Sequence, residues 1–316
     1  IHENYSFDGN THTYFLHKDP IPSVTQTIMH SLAEKFEPDL VAKKTIINFQ
    51  NAYKRSTGEK IKEDESDMTE VWNDTAEKGT VIHAIAESVF GEDRIITKDE
   101  MAEFADITEY YALVNNLEEL KKHYEKQNPG IVWYTEKMII SNKYKIGGTI
   151  DLIGDMGDGR LVVFDFKTTD HEYADDKMVA TEDYKKVYSL FLPPFQSLPQ
   201  SKYNIHMLQT NMYANMLEEQ EDPNQPGKKN TVTEIRIVPI IRTFQEGTRK
   251  IASAKHGNLV RIPRNDNTVD LADKLMGLNF LRRGNLLDME TMRANLEKTG
   301  IAPHLIKDTL VAYSFW

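Results

Sequence analysis

Apolar positions along the chain switch between helical and strand periods. Up to Gln127 they follow helical spacing, and from Val132 to Lys167 they alternate or run together over strand lengths. Ser23 caps an expected helix start, and Gln26 three residues on completes a capping box. A mostly helical stretch is expected to run on to about Arg55, followed by helices over Met68–Phe90 and Lys98–Gln127. Three strand runs come next, Val132–Ile140, Lys143–Ile153 and Leu161–Lys167. Turn formers separate them at Ser141-Asn142 and Asp155–Gly159, which predicts an antiparallel meander. An irregular excursion from Thr168 to Asn204 leads to a helix near Ile205–Glu219 and a strand near Val232–Ile241. Pro239 assigns that strand, or its end, to a sheet edge, because proline cannot donate to a ladder. The remainder, Thr268–Trp316, reads as mainly helical, while Ser56–Glu70 and Glu221–Asn230 read as solvated connections.

The fold class this predicts is α/β (α+β), with a central mixed sheet of about four to five strands flanked by helices. Residues 1–67 form a mostly helical lead-in, 68–245 the core, and 246–316 a mainly helical C-terminal extension. Of the 316 residues 40% are apolar and 28% charged, and no stretch approaches the roughly 18 apolar residues of a membrane span. The absence of cysteine excludes disulfides, a cysteine-held iron–sulfur cluster and a cysteine zinc site within this chain. A reducing, cytoplasmic location is the expectation, although a chain that begins with Ile1 leaves a targeting signal unassessed. The net charge of −11 argues against a protein that coats duplex nucleic acid, but not against a site that collects carboxylates to hold cations. Arg242, Arg249, Lys250, Lys255, Arg261 and Arg264, opposed only by Glu246, are expected to supply a small basic surface.

Candidate chemistry concentrates on the meander. Asp165 and Lys167 share one strand face, Val162, Phe164 and Phe166 take the other, and the hairpin closing at Gly157–Gly159 brings Asp151 alongside. Two carboxylates at the end of a buried strand repel unless paired or bridged. A divalent cation between them relieves that repulsion, polarises a phosphate and lowers the pKa of bound water, and oxygen ligands favour Mg²⁺ or Mn²⁺. Lys167 can orient that water or stabilise developing charge. The plainer alternative is a cross-strand Asp165–Lys167 ion pair with Asp151 facing solvent. On the helix before the meander, His83 and Glu87 stand one turn apart: His83 is a candidate ligand, and Glu87 would fix its tautomer or bind through water. Gln209 and Tyr213 repeat that spacing with hydrogen-bonding side chains, and Glu136 on the first meander strand is a further candidate acid near the metal. Taken singly, His83 with Glu87 and Gln209 with Tyr213 read more simply as ordinary structural residues, while Glu136 divides evenly between a site acid and an exposed strand carboxylate.

Gly79 with His83, Gly148 with Asp151, Asp165 with Lys167, and Gln209 with Tyr213 follow in order the pattern G-x-x-x-H, G-x-x-D, D/E-x-K, Q-x-x-x-Y. The chain thereby resembles the PD-(D/E)XK nuclease superfamily, and within it the RecB-like exonucleases. Pro22-Ser23-Val24-Thr25 is similar to the start of phage and mitochondrial members. The resemblance implies that His83, Asp151, Asp165 and the Phe166 carbonyl bind metal, that Lys167 is catalytic, and that Gln209 and Tyr213 stand on the substrate side. It implies a metal-dependent DNA exonuclease serving phage or viral DNA replication, recombination or processing. A structure- or site-selective DNA endonuclease on the same active site and a non-catalytic nucleic-acid-binding or assembly module are the alternatives. No G-x-x-x-x-G-K-[ST] phosphate loop occurs, so a helicase or recombination partner would be a separate chain. Two readings stand for the excursion: Tyr184, Lys185, Lys186, Tyr188, Phe191 and Phe195 cover the site and thread single-stranded DNA by stacking its bases, or Leu190–Phe195 simply packs on the sheet.

Overall fold

The computed structural model describes residues 5–32 and 65–283, apart from 10, 12, 92, 193, 223, 224 and 247, together with 46, 47 and 297. The chain opens with three short strands, β1 (Tyr5–Asp8), β2 (Thr13–Leu16) and β3 (Asp19–Ile21), paired into an antiparallel sheet of their own. The expected lead-in is therefore not helical at its start. Tyr14 and Leu16 alternate into a small core with Ile21 and Ile140, a period-two signal spread over only four residues. Helix α1 (Val24–Met29) follows with the expected capping box: Ser23 Oγ accepts from Gln26 N–H at 3.0 Å, and Gln26 Oε1 from Ser23 N–H at 2.9 Å. The helical reading on to Arg55 lies largely outside the described residues, as does most of Ser56–Glu70, whose last six residues open the next helix.

Helices α2 (Glu65–Phe90), α3 (Lys98–Ala102) and α4 (Ile107–Gln127) precede the meander. The single helix expected over Lys98–Gln127 breaks in two because Asp106 caps a new start, accepting from Thr108 N–H at 2.8 Å. Strands β4 (Val132–Ser141), β5 (Ile146–Asp155) and β6 (Arg160–Thr169) form the antiparallel meander. A two-stranded ribbon, β7 (Ser189–Leu190) with β8 (Pro199–Gln200), interrupts the excursion before helix α5 (Lys202–Glu218). Strand β9 (Thr231–Phe244) then pairs parallel to β6, so the sheet is mixed.

Two strands lie in the region expected to be mainly helical. β10 (Ile251–His256) and β11 (Val260–Ile262) both pair antiparallel with β9, and only helix α6 (Asp266–Arg283) matches the helical expectation. The main sheet has six strands in the order β10-β9-β6-β5-β4, with β11 also on β9. The Pro239 strand is thus interior, correcting the edge assignment. Proline is tolerated because Pro239 falls in the notch where the outer partner changes, between Ile237↔Val260 and Ile240↔His256. Its carbonyl accepts from Gly257 N–H at 2.8 Å, and no ladder donor is needed there.

Alternation along β6 feeds both faces of the sheet. Leu161 and Val163 join Val24, Ile28, Leu208, Met212, Leu275 and Met276 beneath α1, α5 and α6. Val162, Phe164 and Phe166 join Ile82, Ile85, Leu113 and Leu117 beneath α2 and α4. Helices therefore flank the sheet on both sides and leave the C-terminal end of β6 framed by α2 and α5. No described helix is long and apolar enough to cross a membrane.

Candidate active site

Gly147-Gly148 explains why β5 can pass so close to its neighbours. A Cβ on Gly147 would stand 2.6 Å from Tyr14 Cγ, and one on Gly148 2.5 Å from Tyr213 Cε1. Both glycines let an aromatic ring lie against the strand just before Asp151, and Tyr14 OH is tied to Thr149 Oγ1 at 2.8 Å. Gly148→Ala is expected to cost about 1–3 kcal/mol by forcing Tyr213 off the strand. A lowered urea midpoint with unchanged slope checks this, and an unchanged midpoint would contradict it.

Asp151 does not face solvent. Its Oδ2 accepts from Phe166 N–H at 2.7 Å and stands 3.7 Å from His83 Nδ1 on α2. On β6, the Asp165 side chain is only 3% exposed, and Lys167 Nζ lies 2.7 Å from its Oδ2. That contact is an ion pair rather than a directional hydrogen bond. The D-x-K ion pair of the plainer reading is present, but a second carboxylate, the half-buried Asp151, stands beside it.

Glu136 joins from β4. Its neighbours pair in register, Thr135↔Leu152 and Lys137↔Ile150, so Glu136 opposes Asp151 yet drops out of the ladder with φ at +45°. A glutamate in the left-handed region is strained, and such strain collects at functional sites. One ligand atom each from His83, Glu136 and Asp151 lie within 4.8 Å of one another, a group able to hold a metal ion. Glu87 does not enter that group; its carboxylate is 3.6 Å from Arg94 Nε.

The electrostatics suit a cation among these side chains. Burial, then the negative charges of Asp151, Glu87 and Asp165, pushes Glu136 up to about 7, although the residue as a whole is exposed. Asp165 is pushed up to about 6 by burial and by Asp151, against the pull of Lys167. Asp151 is raised by burial, against Lys167 and the Phe166 amide. Burial opposes the charge on Lys167, yet Asp165 and Asp151 outweigh it and hold the pKa above its ordinary value. His83 is pulled down to about 4 by burial and by the Lys167 charge, so it is a neutral imidazole at pH 7 and free to ligate. Three crowded carboxylates and one neutral imidazole suit a divalent cation, which would relieve their repulsion.

On α5, Gln209 Nε2 donates to Tyr213 OH at 3.3 Å. Tyr213 is buried, its ring under β5, and Gln209 is the more open of the two. Sequence reasoning missed Tyr173, Thr168 and His206. Tyr173 stacks on Tyr184 at 3.9 Å, and Tyr184 OH is hydrogen-bonded with His206 Nδ1 at 2.7 Å. His206 stands one turn before Gln209, a spacing that could have revealed it. Tyr173 belongs to no motif. The threading expectation is corrected in part, because Tyr184, Phe191 and Phe195 are core residues. Tyr188, 57% exposed, is the excursion's remaining open ring. Half of the basic run is committed inside the protein: Arg249 pairs with Asp74 at 2.7 Å, Arg264 contacts Glu218 and Asn215, and Arg242 donates to the Thr75 carbonyl, while Lys250, Lys255 and Arg261 stay exposed.

A mixed sheet that sets carboxylates and a lysine on adjacent strands, with a helical histidine beside them, is the build of a metal-dependent nuclease. The family model of the PD-(D/E)XK nuclease superfamily matches residues 50–275, and the chain belongs to that superfamily. Membership implies divalent-metal phosphodiester hydrolysis with DNA as substrate. A search of curated proteins gave no match.

Proposed function

We propose that the chain is a DNA exonuclease, dependent on Mg²⁺ with Mn²⁺ as substitute, acting in DNA replication, recombination or genome processing. The observation that carries this reading is the convergence of His83, Glu136 and Asp151 beside the Asp165–Lys167 pair. In this reading His83, Asp151, Asp165 and the Phe166 carbonyl hold the cation, with Glu136 as a further ligand. A bound divalent cation supplies Lewis acidity towards the phosphate and makes water a better nucleophile. Lys167, kept charged by Asp165 and Asp151, places a donor on the attacking water or on a non-bridging phosphate oxygen. Asp165 fixes where that donor points. Gln209, held by Tyr213, faces the substrate strand. Glu87 acts at a distance, through its charge on Glu136. Unwinding, where the substrate needs it, falls to a separate helicase chain.

The exonuclease reading follows from the resemblance to RecB-like exonucleases, and an endonuclease would use the same site. The test is incubation of end-labelled linear DNA and circular DNA, each single- and double-stranded, with Mg²⁺. Loss of linear DNA with circles intact is the expected outcome. Cut circles would replace the exonuclease reading with an endonuclease on the same site.

A further inference from the structure

Arg242 is a buried cation that no described carboxylate pairs. The residue is 8% exposed, Nη1 donates to the Thr75 carbonyl at 3.2 Å, and the guanidinium lies 5.2 Å from the Phe244 ring centroid. No carboxylate among the described residues reaches ion-pair distance. The negative charges it feels are those of Asp170 and Asp74. Asp74 is taken by Lys78 and Arg249, and Asp170 is exposed and paired with His171 at 3.4 Å. One carbonyl engages one of the five N–H donors that a guanidinium carries. Burying such a charge uncompensated is costly, so its retention points to an anion that arrives from outside.

The surroundings are shaped for one. Thr168 pairs in register with Ile240, two residues before Arg242, so both side chains face α2. The half-buried Thr168 hydroxyl has no partner among the described residues. Opposite, Gly79 leaves a gap: a Cβ there would stand 3.3 Å from Thr168 Oγ1 and 3.6 Å from Arg242 Nη1. The gap adjoins the candidate active site, since Gly79 stands one helical turn before His83 on α2, and the Arg242 charge bears on that imidazole.

We propose that Arg242, the Thr168 hydroxyl and the space left by Gly79 form a subsite for a second phosphate of the nucleic-acid strand, next to the one being cleaved. The inference rests on the nuclease reading for its substrate. The anion is either an internal phosphodiester or a terminal phosphate, and a guanidinium recognises both by the same charge-assisted hydrogen bonds. The subsite gives Gly79 a purpose beyond helix packing.

The test is binding of single-stranded oligonucleotides to the full chain with Ca²⁺ as the only divalent cation. The set carries one neutral methylphosphonate at each linkage in turn, with and without terminal phosphates. In the wild type, one substitution is expected to weaken binding by about 10-fold to 100-fold. In Arg242→Met the same substitution should cost nothing further, and the slope of log Kd against log salt should fall by about 0.7. Arg242→Lys should restore part of the affinity. A loss at an internal linkage identifies a neighbouring phosphodiester, and a loss confined to the end identifies a terminal phosphate. Gly79→Ala guards against misfolding, because alanine favours the helix yet fills the gap, and it should bind several-fold more weakly. Equal methylphosphonate losses in wild type and Arg242→Met, an unchanged salt slope, or no binding at all would overturn the subsite. Absence of cleavage with this binding pattern intact would remove the nuclease reading and leave the subsite standing.

Discussion

Lys167→Met is expected to lower DNA cleavage by at least about 10²–10³-fold while the protein stays folded. The methionine fills the lysine stem and removes only the ammonium, whose Nζ lies 2.7 Å from Asp165 Oδ2. That ammonium is the donor able to meet charge developing on a phosphate, in a site where burial raises the value of every electrostatic contact. Asp165 would be left buried without its partner. Its pKa already stands at about 6, so taking up a proton is the cheap response and limits the loss of stability. Arginine is no conservative replacement, because its planar fork does not present the point donor that Lys167 offers. Rate and melting temperature measured together separate the two effects. Full activity in Lys167→Met would show that the catalyst is another group.

Removing divalent metal is expected to abolish cleavage, and metal affinity should rise with pH. In the metal-free protein, burial and mutual repulsion hold Glu136 at about 7 and Asp165 at about 6 and raise Asp151. Each proton must leave before its carboxylate can ligate, so affinity falls as pH drops through those values and levels off above them. His83, at about 4, is neutral throughout and adds no dependence in this window. Calorimetry in two buffers of different ionisation heat should find release of about one proton per metal near pH 6.5. Affinity that is flat between about pH 5.5 and 8, or that falls as pH rises, would contradict a site built on these carboxylates.

The parts of this protein legible in its sequence are those whose signal is local. Gly79 with His83, Asp165 with Lys167 and the Ser23 capping box are fixed offsets on one element, and each stands where its spacing put it. The meander was equally legible, because β4, β5 and β6 follow one another with turn formers between them. What depends on distant partners was not. β10 has only Ile251 and Ala254 buried, too sparse a pattern to announce a strand, and it exists because β9 offers an open edge. The notch that admits Pro239 exists only once β10 and β11 have docked. Glu136 could be named as an acid near the site, but its +45° φ and its place opposite Asp151 come from the β4–β5 register. Tyr184, Phe191 and Phe195 show the opposite failure: an aromatic, basic stretch reads as a binding surface until the fold turns its rings inward. Arg242 counted towards a basic patch, and only the structure shows it buried against α2.

The most direct test of the central claim is a time course of nucleotide release from end-labelled linear DNA by the purified chain, first with Mg²⁺, then with excess chelator, then with Mg²⁺ restored. Release that stops on chelation and resumes on restoration, and that Lys167→Met does not show, is the expected result. Release that persists through chelation, or that Lys167→Met matches, would contradict a metal-dependent site built on Asp151, Asp165 and Lys167.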